Sequence, residues 1–185
     1  MLTRRTFAVA MIAAFAVPSL GFAQATTPSA ATIERQLEAA PRMKLRPSER
    51  VTIGEFKRRP DLRRMAQSID IQSINFEFGS AAIAPSQYGK VEIIADALRR
   101  ILRRDRGARI LIEGHTDAVG SFQSNQILSE RRAASLKRTL VREFGVPAYA
   151  LDTVGYGEEF LLVPTQQENW RNRRVTLRRF DSFVR

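Results

Sequence analysis

Between residues 91 and 144 the hydrophobic period changes from helix to strand and back to helix, which restricts the chain to folds that lay helices on a sheet. Val91, Ile94, Ala95, Leu98, Ile101 and Leu102 recur at helical spacing, with Arg99, Arg100, Arg103 and Arg104 on the outer side and Gly107 as the stop. Ile110-Leu111-Ile112 then reads as a short buried strand closed by Gly114. Residues 124–144 predict a second helix with Ile127, Ala134, Leu140, Val141 and Phe144 inward, stopped by Gly145. Weaker signals flank this unit. Ile74, Phe76 and Phe78 alternate with polar residues, which predicts a first strand, and Pro85 suits a helix start. Residues 153–156 predict a third strand, and Val175, Leu177 and Arg179 alternate in a fourth. The expected fold class is α+β: an α/β sandwich with helices packed on one mixed sheet.

The front of the chain reads differently. Residues 1–25 have the form of a cleaved secretory signal: Arg4 and Arg5, a short apolar run, Pro18, then small residues at Gly21, Ala23 and Ala25. The Arg pair followed by Phe7 also fits a twin-arginine signal, and the pattern leaves both export routes open. Residues 26–66 contain Pro28, Pro41, Pro47 and Pro60 and few large apolar residues. They are expected to form a flexible basic linker, with at most a short helix over 33–39. Residues 67–185 form the expected folded domain.

Composition narrows the function. With 30 Lys+Arg against 19 Asp+Glu the chain favours anionic partners. The absence of cysteine excludes disulfides, thiolate metal sites and thiol catalysis. A single histidine, His115, without a second ligand at helical spacing argues against a metal site, and no nucleophile with an oriented base stands out, so neither a cofactor nor an enzyme is expected. His115 is expected to orient its loop by hydrogen bonding. Nucleic acid is disfavoured because the Arg99–Arg106 cluster has no aromatic stacking platform beside it.

The loop Gly114-His115-Thr116-Asp117-Ala118-Val119-Gly120-Ser121 follows a strand and leads into a helix, where α/β folds place ligands. On that helix Asn125, Ser129 and Arg132 fall at i, i+4 and i+7 and share one stripe facing the loop. Two readings of Asp117 and Arg132 stay open at this level. They can clasp a zwitterionic amino-acid centre, the carboxylate taking the ammonium and the guanidinium fork taking the carboxylate. They can equally form a plain ion pair that fixes the loop, in a protein that binds anionic polymer or lipid by charge alone.

Ile112-Glu113-Gly114-His115-Thr116-Asp117, Asn125, Leu128-Ser129-x-x-Arg132-Ala133, Gly155-Tyr156-Gly157-Glu158 and Asn172-Arg173-Arg174-Val175 occur in order. Together they resemble the OmpA-like peptidoglycan-binding domain, also found in peptidoglycan-associated lipoproteins and flagellar stator proteins. The resemblance implies a β-α-β-α-β-β sandwich that binds the diaminopimelate of the peptidoglycan stem peptide. It places the principal contacts on Asp117 and Arg132, supporting contacts on Thr116, Ala118 and Asn125, and Arg173 in the same pocket. Ser124 stands where the family often has an aromatic residue, and Glu77 where many members have Asp. With neither a barrel nor a lipidated cysteine expected, the resemblance implies a periplasmic, peptidoglycan-associated protein peripheral to the outer membrane, with anionic lipid or envelope proteins as further partners.

Overall fold

The computed structural model describes residues 26–76 and 80–185. The signal read over residues 1–25 lies outside the described residues, as do Glu77 and Phe78 of the first expected strand. The elements are α1 (Ala30–Glu38), α2 (Ile53–Arg58), α3 (Pro60–Met65), β1 (Ser68–Ile71), α4 (Tyr88–Arg104), β2 (Ile110–His115), α5 (Phe122–Arg142), β3 (Leu151–Gly155) and β4 (Arg174–Arg179). From β1 onward the order is β-α-β-α-β-β, as expected. The strands lie β1-β4-β2-β3, with β2 and β3 parallel and the pairs of β4 with β1 and with β2 antiparallel. The fold is an α+β sandwich on one mixed sheet.

The strand periodicity divides the core into two layers. Ile110 and Ile112 of β2 face the same way as Ile69, Ile71 and Leu177, and pack under α1, α4 and α5. Leu111 faces the opposite way and joins Phe56, Leu62, Phe180 and Phe183 in a second cluster. That second cluster corrects the reading of residues 26–66 as a flexible linker. The sparse apolar residues of this segment are nearly all used: Ile33 and Leu37 in the first layer and Phe56 in the second have no exposed surface, and Leu62 is buried. Pro47 and Pro60 do not break structure; each opens a helical turn at a position where the missing N–H costs nothing. Arg104 of α4 pairs with Glu34 and Glu38 of α1, which clamps the first helix to the domain.

The first strand also differs from expectation. It is Ser68–Ile71, while Ile74 to Phe76 run as irregular chain with Ile74 buried. Ile74 and Phe76 of the alternating stretch therefore line a cavity and do not pair in a ladder. In α5 the inward stripe is polar where it meets the sheet ends: Asn125, Ser129 and Arg132 are buried, whereas Ile127 is 41% exposed. This helix lies so close to β2 and β3 that only glycine fits beneath it. A Cβ on Gly114 would stand 2.2 Å from the Ser129 carbonyl oxygen, and one on Gly155 2.5 Å from Ser129 Oγ. Gly114→Ala is accordingly expected to destabilise the domain by several kcal/mol, of the order seen for severe overpacking, read as a large fall in thermal midpoint.

Candidate ligand-binding site

Loop 116–121 leaves the C-terminal end of β2 and is tied down from three sides. The Thr116 N–H donates to the Gly157 carbonyl at 2.9 Å, and the Gly157 N–H donates to Ser129 Oγ at 2.8 Å. The Asn125 amide donates to the carbonyls of Asp117 and Val119 at 3.3 and 3.2 Å and to Glu158 Oε2 at 2.5 Å. Ser121 caps α5 by accepting from the Ser124 N–H. Gly120 has φ 104 and Gly157 φ 49, left-handed conformations that glycine adopts without strain.

Beside this loop is a cavity of about 710 Å³ whose wall includes Ser73, Phe76, Lys90, His115, Arg132 and Arg173. The six residues expected at the site divide by position. Arg132 and Arg173 are in the cavity wall. Asp117 joins it through Arg173, whose Nη1 donates to Asp117 Oδ2 at 2.8 Å and to Glu168 Oε1 at 2.6 Å. Thr116 and Ala118 are buried in the loop, and the Asn125 amide is committed to holding it.

Asp117 and Arg132 do not form the plain ion pair that was one of the two readings; the partner of Asp117 is Arg173. Arg132 donates from Nε to the Ser80 carbonyl at 3.2 Å, and its guanidinium stands 4.9 Å from the Phe76 ring centroid. Among the described residues no carboxylate lies within ion-pairing distance of it. Burial, and after it the neighbouring Arg173 cation, pull the Arg132 pKa below its ordinary value, with Asp117 opposing. The side chain is thus a desolvated cation next to another cation, an arrangement that an incoming carboxylate would relieve.

His115 does not orient the loop by hydrogen bonding. Both ring nitrogens are buried without a hydrogen-bond partner among the described residues, and Nε2 is 3.8 Å from Glu113 Oε2. Its ring stacks on Tyr156, with centroids 5.8 Å apart. Burial depresses its pKa more than the Glu113 carboxylate raises it, which keeps the imidazole neutral at pH 7. Ser73 Oγ and Thr116 Oγ1 are likewise buried without partners among the described residues. Polar groups with unused hydrogen-bonding capacity are therefore concentrated at and beside the cavity.

Beneath the site is a buried ion cluster that sequence reasoning missed. Glu113, fully buried, accepts two hydrogen bonds from Arg63 at 3.1 and 3.0 Å and two from Arg178 at 2.7 and 3.1 Å. Burial disfavours the Glu113 carboxylate, but the surrounding donors and the guanidinium charges overcome it and hold its pKa far below the usual carboxylate range. Arg63 also stacks on Tyr156, 3.8 Å from the ring centroid, and on Phe160 at 4.3 Å. Helix α3 is thereby joined to the strand that ends in the binding loop.

The OmpA family model matches residues 75–174, more than half of the chain and all six of the residues expected at the site. The chain belongs to the OmpA family. Within that family it is 34% identical over 95 residues to outer membrane porin F of Pseudomonas aeruginosa, and 34% identical over 111 residues to the peptidoglycan-associated lipoprotein of Pseudomonas putida. These alignments cover 51% and 59% of this chain, but only 26% of the porin and 63% of the lipoprotein. In fold it is similar to the periplasmic domain of Helicobacter pylori MotB, with a TM-score of 0.51 and 24% identity over 62% of this chain and 75% of that one.

Proposed function

We propose that this protein binds peptidoglycan noncovalently in the periplasm by clasping the diaminopimelate of the stem peptide. Arg132 carries the proposal: a largely buried guanidinium in a cavity wall, without a carboxylate partner among the described residues, is matched to the carboxylate of an amino-acid centre. The ammonium of the same centre goes to Asp117, whose Oδ2 is shared with Arg173. Thr116 and Ala118 supply the loop backbone, Asn125 holds it in place, and Arg173 steers Asp117 and faces the ligand. Family membership and a relative named for its association with peptidoglycan support the ligand class. The role is binding, not catalysis, and it places the protein against the wall, peripheral to the outer membrane, after removal of residues 1–25.

Co-sedimentation with purified sacculi checks this reading. The protein is expected to pellet with sacculi and to be released by a soluble tripeptide ending in meso-diaminopimelate. Pelleting that the tripeptide fails to compete, but that salt abolishes, would instead indicate binding by net charge.

A further inference from the structure

We infer that the cavity contains a second carboxylate subsite, formed by Lys90 Nζ and Ser73 Oγ, that reads a further acidic group on the same peptide. The inference rests on the diaminopimelate reading and extends it. Lys90 lies in the first turn of α4 and lines the cavity together with Ser73. Its Nζ donates to the Ser73 carbonyl at 2.8 Å and to Gln87 Oε1 at 3.0 Å, both uncharged acceptors. An ammonium has three protons to donate, so one remains. Ser73 is only 2% exposed, and its Oγ has no hydrogen-bond partner among the described residues. A buried hydroxyl with an unused donor beside an ammonium is a ready cradle for a carboxylate oxygen.

Charge matching points the same way. Four cations line the cavity: Lys90, Arg132, Arg173 and Arg174. Arg173 is matched by Asp117 and Glu168, and Arg174 by Asp70 at 3.3 Å. Among the described residues Arg132 and Lys90 have no carboxylate partner. One amino-acid centre brings one carboxylate, which satisfies Arg132 and leaves Lys90. A ligand with a second carboxylate nearby satisfies both. In a stem peptide continued beyond diaminopimelate, whose inner carboxylate is then in a peptide bond, that group is the α-carboxylate of the γ-linked glutamyl residue next to diaminopimelate. The subsite thus separates walls in which this carboxylate is free from walls in which it is amidated.

The test is calorimetric titration of the protein with two tetrapeptides, one with γ-linked glutamate and one with its α-amide at the second position. Each has alanine after meso-diaminopimelate, so that the inner diaminopimelate carboxylate is in a peptide bond. The wild type is expected to bind the free acid roughly tenfold or more tightly, the worth of one charge-assisted hydrogen-bond pair. In Lys90→Met that ratio falls to about one, and in Ser73→Ala it shrinks. Ser73→Ala serves as the second reading should Lys90→Met fail to fold. Equal binding of both peptides by the wild type, or an unchanged ratio in the folded variants, overturns the subsite and leaves the diaminopimelate reading standing. If the wild type binds neither peptide, both are overturned.

Discussion

Arg132→Ala is expected to weaken binding to peptidoglycan by roughly 30-fold or more, the equivalent of about 2–5 kcal/mol for truncating one side of a buried charge pair, while the domain stays folded. The two halves of this expectation have the same cause. Arg132 is desolvated and lies near Arg173, so its removal relieves repulsion in the unliganded protein. Its hydrogen bond to the Ser80 carbonyl is the only one to a described residue that is lost. The thermal midpoint should therefore hold or rise slightly as affinity falls, the pattern of a residue kept for binding at some expense to stability. Arg132→Lys keeps the charge but not the planar fork, and should recover only part of the affinity. Asp117→Asn should weaken binding as well, and it also removes the charge that Arg173 pairs with. Retained pull-down by both Arg132→Ala and Asp117→Asn would remove the assignment of the clasp.

The second large effect concerns stability. Arg63→Met leaves Glu113 buried with one guanidinium in place of two, and should cost about 3–5 kcal/mol, as breaking buried ion pairs does. For a folded region of this size that is a fall in midpoint of about 6–20 °C. Adding Glu113→Gln, which removes the stranded charge, should restore part of the loss. Because the folded Glu113 pKa lies far below its ordinary 4.5, this contribution is present in full above pH 4.5 and fades as pH falls below it. Arg63→Met should accordingly show a smaller loss of midpoint on acidification than the wild type. A variant that melts within a degree or two of the wild type would mean that α3 contributes little to the domain, and that the linker reading of residues 26–66 was nearer the truth.

That linker reading failed for a physical reason that applies elsewhere in the chain. Helices α1 to α3 each bury one or two large apolar residues: Ile33 and Leu37, Phe56, and Leu62. So few residues make no visible period, and prolines that open helices look like prolines that interrupt them. By contrast α4 was legible because seven of its residues are buried on one stripe. In α5 the helix itself, the inward Leu140 and the shared stripe of Asn125, Ser129 and Arg132 are legible, but that first half of the buried face is polar, and the apolar Ile127 expected inward is 41% exposed. Loop 114–121 and its facing helix could be read at sequence level because their geometry is local. The partners of Asp117 and Glu113 could not: Arg173 is 56 residues from Asp117, while Arg63 and Arg178 are 50 and 65 from Glu113. Ser73 and Lys90 gave no signal either, because what distinguishes them is shared burial beside one cavity.

The most direct test of the central claim is calorimetric titration of the protein with two stem tripeptides that differ only at the third residue, meso-diaminopimelate or lysine. The lysine peptide keeps the ammonium for Asp117 but lacks the carboxylate for Arg132. If the pair clasps one amino-acid centre, the diaminopimelate peptide should bind at least about 30-fold more tightly, and Arg132→Ala should abolish the difference. Equal affinity for the two peptides, or a preference that persists in Arg132→Ala, would contradict it.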